Sequence, residues 1–173
     1  MRTKAAAVGL IAACTALAPF GAGCTCATAD SMLATAGEVR YVPDAHGDSW
    51  QTPEETARLG QGDCEDLAFY LHDLLAARGV ASQVVFGIEN IARAKTGHAW
   101  VECEMYGQRY VLDPTRRLLA RRAALPGGTY YRIADQPVLR AKLRAYLARW
   151  PRGRMSDVYG AAADDEPPAD RPD

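Results

Sequence analysis

Cys64 is the residue of this chain whose surroundings best suit nucleophilic chemistry. It follows a glycine-rich turn, residues 60–62, and precedes apolar residues at helical spacing between 67 and 75. This pattern predicts a helix that carries Cys64 in its first turn and ends near Gly79. The free N–H groups and the positive end of the helix dipole favour a thiolate at such a position. The sequence therefore predicts that Cys64 is a nucleophile.

A predicted β-hairpin supplies a histidine and an aspartate. A two-residue turn at 106–107 would pair Glu104 with Arg109 and apolar residues with apolar residues, as cross-strand pairing favours. In this register His98 is diagonal to Asp113, about 7–8 Å away between Cα atoms and within side-chain reach. An aspartate that orients a histidine is what a Cys–His nucleophilic pair requires.

The three residues predict acyl-transfer chemistry. Cys64 would attack a carbonyl carbon, His98 would protonate the leaving amine, and Asp113 would fix the imidazole tautomer. The backbone N–H of Cys64 would donate to the oxyanion, and a second donor is needed. Three residues are candidates for that second donor, and the sequence does not choose among them: Trp50, Gln51 and Gln61.

Cys103 shares the apolar face of the hairpin with Val101 and lies on the opposite face from His98, because side chains alternate along a strand. A disulfide between Cys64 and Cys103 is the alternative in an oxidising compartment. If Cys64 meets His98 it cannot easily reach Cys103 as well. We therefore predict that Cys103 is a buried core thiol.

Three carboxylates flank the cysteine, and they have two interpretations. Asp63 can be the helix N-cap, with Asp66 at N3 and Glu65 at the favourable end of the dipole. Alternatively, Asp63, Glu65 and Asp66 bind Ca²⁺ through oxygen ligands, although the spacing does not fit an EF-hand loop. Uncompensated, the acids would raise the pKa of Cys64, so a cation would help to form the thiolate.

The first 29 residues have the pattern of an export signal. Two basic residues precede an apolar run, and a small-x-small sequence at 27–29 suits signal peptidase. A transmembrane anchor and a lipoprotein signal with Cys24 as the modified residue are alternatives. All three place the following domain outside the cytoplasm, either periplasmic or secreted, or held at a membrane by lipid.

The rest of the chain predicts one domain at 30–155 and a disordered acidic tail at 156–173. Residues 30–37 look like a linker, Thr52 begins a short helix with a full capping box, and Pro137 begins an amphipathic helix. Residues 89–97 are predicted as a loop and 116–125 as a helix. Strands are predicted at 38–42, 80–88, 98–105 and 108–113.

Basic residues are concentrated near the end of the predicted domain. Residues 116–154 hold 11 of the 20 lysines and arginines and one acid, in a chain with a net charge of −1. Such a region suits an anionic membrane or nucleic acid. With an export signal present, we instead expect it to pack against the acidic N-terminal part, and we expect no nucleic-acid partner. Membrane contact would follow only from lipidation or from the basic C-terminal helix.

With these residues identified, the sequence resembles the transglutaminase-like superfamily. More narrowly, it is similar to the bacterial transglutaminase-like cysteine peptidases that include the LapG-type periplasmic adhesin proteases. The resemblance covers roughly residues 38–115. The matching segments are 41–44, 48–55, 62–66, 96–100 and 111–115.

The resemblance implies a papain-like α+β core, with the cysteine at a helix N-terminus packed on a small antiparallel sheet. It implies the triad Cys64, His98 and Asp113, and calcium at the acids around the cysteine. The expected function is an exported thiol hydrolase that cleaves peptide or amide bonds in a protein substrate, with a regulatory partner left open. The alternatives are a transglutaminase or amidase acting on glutamine side chains, and a non-catalytic peptide-binding module.

Overall fold

The computed structural model describes residues 26–45, 49–91, 94–133 and 137–158. Five helices and seven strands are assigned in these ranges. The helices are α1 (Cys26–Ala36), α2 (Pro53–Leu59), α3 (Cys64–Ala77), α4 (Pro137–Leu147) and α5 (Met155–Val158). The strands are β1 (Arg40–Tyr41), β2 (Gln61–Gly62), β3 (Ser82–Ile91), β4 (Ala94–Met105), β5 (Gln108–Asp113), β6 (Leu118–Arg121) and β7 (Tyr130–Arg132).

Five strands form one antiparallel sheet in the order β6-β5-β4-β3-β7. The predicted β4–β5 register is confirmed, with Val101 opposite Leu112 and Met105 opposite Gln108. Tyr106 and Gly107 form the two-residue turn, both with positive φ (53° and 68°). This backbone suits the right-handed twist of the two strands, which fixes their register.

The predicted N-caps of α2 and α3 are confirmed. Thr52 caps α2, and its side chain accepts from the N–H of Glu55 while Glu55 accepts from the N–H of Thr52. Asp63 caps α3 in the same reciprocal way with Asp66. These contacts satisfy N–H groups that lack partners at a helix start, so Cys64 is held as the first residue of α3.

The main core lies between the sheet and the helices α1, α3 and α4. Buried apolar residues of α3, among them Phe69, Leu71 and Leu75, pack in one cluster with Ala99 and Val101 of β4. The Cys64 helix therefore covers the apolar face of the hairpin. The predicted α+β class, a helix that begins with the cysteine and packs on a small antiparallel sheet, is confirmed.

The opposite face of the sheet has a smaller core. Val85, Trp100, Val111 and Tyr130 are buried there and pack against half-buried Leu118 and Leu125. The segment between β5 and β7 thus wraps around the second face. It keeps water from side chains on this face, including His98 and Asp113.

Both predicted ends of the domain need correction. Residues 30–37, predicted as a linker, lie mostly in α1, whose buried residues are Ala29, Met32, Leu33 and Ala36. This i, i+3, i+4, i+7 spacing is amphipathic, but its small residues were attributed to a linker after the export signal. The predicted tail is wrong for residues 156–158, because α5 extends to Val158 and buries it. Residues 1–25 and 159–173 lie outside the described ranges. Residues 26–29, the end of the predicted signal, belong to α1 instead, and export stays a prediction.

Two internal predictions are also wrong. The loop predicted at 89–97 is mostly strand, since β3 reaches Ile91 and β4 begins at Ala94. The helix predicted at 116–125 is instead β6 followed by a 3₁₀ turn at Arg122–Ala124. In both places the pairing of strands outweighs local preference, which is a weak predictor.

Arginines of the basic region contact acids of the preceding chain, as expected. Arg116 pairs with Glu89, Arg132 with Glu102, and Arg149 with Glu55. Arg152 pairs with Glu54 and Asp73. Among the described residues, no helix has the length and hydropathy needed to cross a membrane.

Gly87 is required by the packing of the sheet beneath the predicted site. A Cβ atom there would lie 2.0 Å from the Tyr131 carbonyl oxygen and 2.2 Å from the Trp100 ring. We expect Gly87→Ala to lower the free energy of unfolding by about 1–3 kcal/mol, because overpacking forces neighbours apart. Chemical denaturation measures the loss. Gly127→Ala is the control, since nothing lies within 4 Å of its Cβ position. Equal stability of the two variants would contradict the close packing.

Candidate functional site

The start of α3 is built by a tight local arrangement. Strand β2 pairs in parallel with β1, with Tyr41 opposite Gly62. A side chain at Gly62 would collide with the Asp66 side chain, whose Cβ lies 2.6 Å from the ideal Cβ position. Glycine at position 62 therefore lets the chain approach the capping Asp66. Cys64 lies two residues after this glycine.

The hairpin brings His98 and Asp113 together. The His98 Nε2 atom lies 2.7 Å from the Asp113 Oδ2 atom. Asp113 is fully buried and His98 is 8% exposed, so water does not compete for this contact. Since Nε2 faces the carboxylate as the donor, Nδ1 is the ring nitrogen left for the thiol. The geometry is that of an orienting acid beside a general base.

Cys64 and His98 line one cleft of about 290 Å³. Helix α3 contributes the cysteine, while β4 and the segment after β5 contribute the opposite wall. The described residues that line the cleft are Tyr41, Cys64, Glu89, Thr96, Gly97, His98, Thr115 and Arg116. The structure thus brings Cys64 and His98 to the same cleft.

The Cys64 thiol is held by a carboxylate in this structure. Its Sγ donates to Glu65 Oε2 at 2.7 Å. Burial raises the pKa of Cys64 far above its ordinary value, and the charge and hydrogen bond of Glu65 raise it further. A hydrogen bond from the backbone of Ala99 opposes these effects. This direction agrees with the expectation that uncompensated acids raise the pKa of Cys64, and the helix start alone does not favour a thiolate here.

The pKa values of the two neighbouring aspartates, Asp63 and Asp66, are raised as well. Burial, followed by the charges of Glu65 and Asp66, raises the pKa of Asp63 to about 7. Burial also raises the pKa of Asp66 to about 6, against hydrogen bonds from the backbones of Gln51 and Asp63 that lower it. Repulsion from Asp44 adds to both shifts. Negative charge thus accumulates around the thiol.

The side chains of Asp63, Glu65 and Asp66 are of the type that binds calcium, but their positions in this structure do not form a binding site. Carboxylate oxygens are the ligands that Ca²⁺ prefers, and the three acids lie next to one another at the start of α3. The ligand atoms of Asp63, Glu65 and Asp66 do not form a group within 4.8 Å of one another among the described residues. The two aspartates also cap the helix, so the capping interpretation is confirmed, whereas calcium stays a prediction.

Among the residues that the structure describes, one group of side chains is close enough to hold a metal. Ligand atoms of Glu89, His98 and Asp113 lie within 4.8 Å of one another. Hydrogen bonds account for this proximity: His98 bonds to Asp113, and Glu89 accepts two bonds from the Arg116 guanidinium at 2.5 and 2.8 Å. We therefore assign no metal to this group.

The three candidates for a second oxyanion donor are not among the residues that line the cleft. Trp50 is buried against Phe86 with ring centroids 5.1 Å apart, and its Nε1 has no partner in the described structure. The Gln51 N–H donates to Asp66, while its Oε1 is buried without a partner among the described residues. The Gln61 Oε1 accepts from Arg40. Their roles stay predictions.

None of the described cysteines, Cys26, Cys64 and Cys103, forms a disulfide. Cys103 is 5% exposed and belongs to the main core cluster. The prediction that Cys103 is a buried core thiol without a disulfide to Cys64 is confirmed.

Four side chains near the site were not predicted as functional. Tyr41 and Arg116 line the cleft, Glu89 pairs with Arg116, and Tyr130 donates to Asp113. Glu89 and Arg116 lie in segments that we predicted as a loop and a helix. The alternation of side chains along strands was therefore not used to place them. A strand pattern after the glycine turn at 127–128 was the available indication for Tyr130.

Solved structures of Legionella pneumophila LapG have a similar fold. One has a TM-score of 0.58 and 17% identity, and the match covers 71% of this chain and 76% of LapG. Calcium-bound LapG gives a TM-score of 0.52 at 18% identity and covers 62% of each chain. EGTA-treated LapG gives a TM-score of 0.52 at 19% identity and covers 62% of this chain and 60% of LapG. The match to these last two structures spans less than two thirds of the LapG chain.

No curated protein matches the sequence of this chain. The family model of the Transglutaminase-like superfamily matches residues 22–114, a segment that includes Cys64, His98 and Asp113. Because that segment is more than half of the 173 residues, the chain belongs to the transglutaminase-like superfamily.

Proposed function

We propose that the protein is a cysteine peptidase or amidase that cleaves peptide or amide bonds in a protein substrate outside the cytoplasm. One observation carries the proposal. Cys64 and His98 line the same cleft, and His98 contacts the fully buried Asp113 at 2.7 Å. The superfamily and the LapG-like fold support it.

The proposed reaction has two stages. His98 Nδ1 takes the proton of the Cys64 thiol, and the sulfur attacks the carbonyl carbon to form a tetrahedral intermediate. His98 returns the proton to the leaving amine as the C–N bond breaks and a thioester remains. In the second stage His98 takes a proton from water as the water oxygen attacks the thioester carbon. The C–S bond then breaks, the carboxylic acid product leaves, and His98 returns the proton to the sulfur, which restores the thiol. Asp113 holds the imidazole through both stages.

The thiol must lose the restraint of Glu65 before it can react. The bond to Glu65 and burial both favour the protonated sulfur. Asp63, Glu65 and Asp66 would hold a Ca²⁺ ion, and its positive charge would lower the pKa of Cys64. On this proposal the acids around the cysteine keep the enzyme inactive until a cation balances them.

Export by the signal at 1–29, in soluble or lipid-anchored form, belongs to the same proposal, as do a protein substrate and a regulatory partner. Amine transfer to glutamine side chains is the alternative outcome of the same acyl-enzyme chemistry.

A non-catalytic peptide-binding module is the second candidate. The observation that favours it is the contact of Cys64 with Glu65, which favours the protonated thiol. Reactivity of the thiol distinguishes the two functions.

We expect iodoacetamide to modify Cys64 before Cys103 when calcium is present at neutral pH. Cys103 is buried and the cation would favour the Cys64 thiolate. Mass mapping of the purified full chain, with calcium and with EGTA, measures the rate at each cysteine. Cys64→Ala should remove the fast label and Cys103→Ala should keep it. Slow labelling of Cys64 under both conditions would favour the binding module.

Glu65→Gln is expected to increase the alkylation rate of Cys64 at pH 7 in EGTA by about tenfold or more. The neutral amide removes the charge that raises the thiol pKa, and one pKa unit is a factor of ten in thiolate at a pH below the pKa. Glu104→Gln, at an exposed position near the end of β4, is the matched control and should leave the rate unchanged. If Glu65→Gln does not increase the rate, Glu65 does not restrain the thiol.

The raised pKa values predict that the protein in EGTA loses stability as pH rises from about 4 to about 7. In this range the folded carboxyls at Asp63 and Asp66 keep protons that the unfolded chain releases, so the folded state is favoured at low pH. Thermal unfolding at pH 5 and pH 8 measures the change. Calcium at pH 8 should raise the midpoint.

Asp63→Asn is the control for this pH dependence, because asparagine also caps helices but carries no charge. The variant should lose less stability between pH 5 and pH 8 and gain less from calcium. His72, whose pKa burial lowers, acts in the opposite direction in both proteins and cancels in the comparison. Identical pH profiles for the two proteins would contradict the raised pKa of Asp63.

A further inference from the structure

Tyr130 contacts Asp113, the buried member of the proposed Cys64, His98 and Asp113 triad. Its hydroxyl donates to Asp113 Oδ2 at 2.8 Å, the same oxygen that His98 Nε2 contacts at 2.7 Å. The residue is 1% exposed and belongs to β7, beyond the segment that the superfamily model matches. We propose that Tyr130 is a positioning residue that fixes the Asp113 carboxylate, and through it the tautomer and orientation of His98. Its catalytic importance rests on the proposed function.

The Asp113 carboxylate is held by three donors. Oδ2 accepts from His98 and Tyr130, and Oδ1 accepts from the backbone N–H of Arg116 at 3.1 Å. The Arg116 contact restrains one oxygen, while the plane of the carboxylate can still turn about it. The Tyr130 hydroxyl supplies the additional contact that fixes the plane toward the imidazole.

Tyr130 can act only as a donor to Asp113. Burial, followed by the Asp113 charge and hydrogen bond, raises the pKa of Tyr130 far above its ordinary value. The hydroxyl therefore keeps its proton at any pH at which the protein would work. The carboxylate oxygen of Asp113 can only accept the hydrogen bond, so the Tyr130 hydroxyl is the donor.

The ring of Tyr130 is itself held in place. It packs edge-on against Trp100 with centroids 5.1 Å apart and lies 6.3 Å from the His98 ring. Arg122 donates to the Tyr130 backbone carbonyl at 2.6 Å, and β7 pairs Tyr130 with Glu89. A rigid support of this kind is what a positioning group needs, since small displacements of a catalytic group reduce rates strongly.

The test replaces Tyr130 with phenylalanine, which keeps the ring contacts and removes the hydroxyl. ¹⁵N NMR of histidine-labelled full chain measures the tautomer of neutral His98, which we expect to be protonated at Nε2. In Tyr130→Phe we expect a mixture of tautomers and faster exchange of the ring N–H proton with water. Tyr131→Phe is the matched control on the same strand. Its side chain is 40% exposed, and it should behave as the unchanged protein.

The alkylation rate of Cys64 at a fixed pH, in calcium, separates the inference from the proposed function. Tyr130→Phe should lower this rate by roughly tenfold, as expected for losing a hydrogen bond to a charged group. His98→Ala should lower it further. If His98→Ala has no effect, the proposed function fails, while the tautomer measurement still tests the role of Tyr130.

An unchanged tautomer and proton exchange in Tyr130→Phe would overturn the inference, even if the variant were less stable. If Tyr130→Phe does not fold, the same inference can be tested by NMR of the unsubstituted protein. The Tyr130 hydroxyl proton should then exchange slowly and show a nuclear Overhauser contact with the His98 ring N–H. Rapid exchange of that hydroxyl with water would overturn the inference without any variant.

Discussion

The register of the β4–β5 hairpin is the constraint on which the candidate site depends. A shift of one residue would turn His98 toward the main core and bring Ala99 to the face of Asp113, because side chains alternate along a strand. The turn at Tyr106 and Gly107, with its two positive φ angles, prevents this shift. The same register places Ala99 and Val101 under α3, so one turn fixes both the histidine–aspartate contact and the packing of the cysteine helix.

The start of α3 shows how two electrostatic effects compete at one thiol. A helix dipole contributes about 0.3–1 kcal/mol to a charge at its end. Two unit charges 4 Å apart interact by about 4 kcal/mol near a protein surface. Burial already disfavours the thiolate, Glu65 lies closer to the sulfur than 4 Å, and Asp63 adds to its effect. The carboxylates therefore outweigh the dipole, and the position of a cysteine in a helix is not enough to predict its reactivity.

Local patterns in the sequence predicted much of the structure around the site. The helix N-caps at Thr52 and Asp63, the hairpin register, and the core position of Cys103 follow from spacing over a few residues. Tyr130 and Glu89 meet across β3 and β7, which are far apart in the chain, and no local pattern predicts that pairing. The helix α1 was missed because its small apolar residues resemble the end of an export signal.

The hydrogen bonds of the acidic residues indicate which of them can change partners. Both oxygens of Asp66 accept backbone N–H groups, from Gln51 and Asp63, and Asp63 accepts from the N–H of Asp66. Moving either aspartate would open the helix cap. Glu65 bonds to the thiol of Cys64 through a flexible side chain, and turning it away would leave the cap intact. A cation that attracts Glu65 would thus free the sulfur without disturbing the helix that positions it.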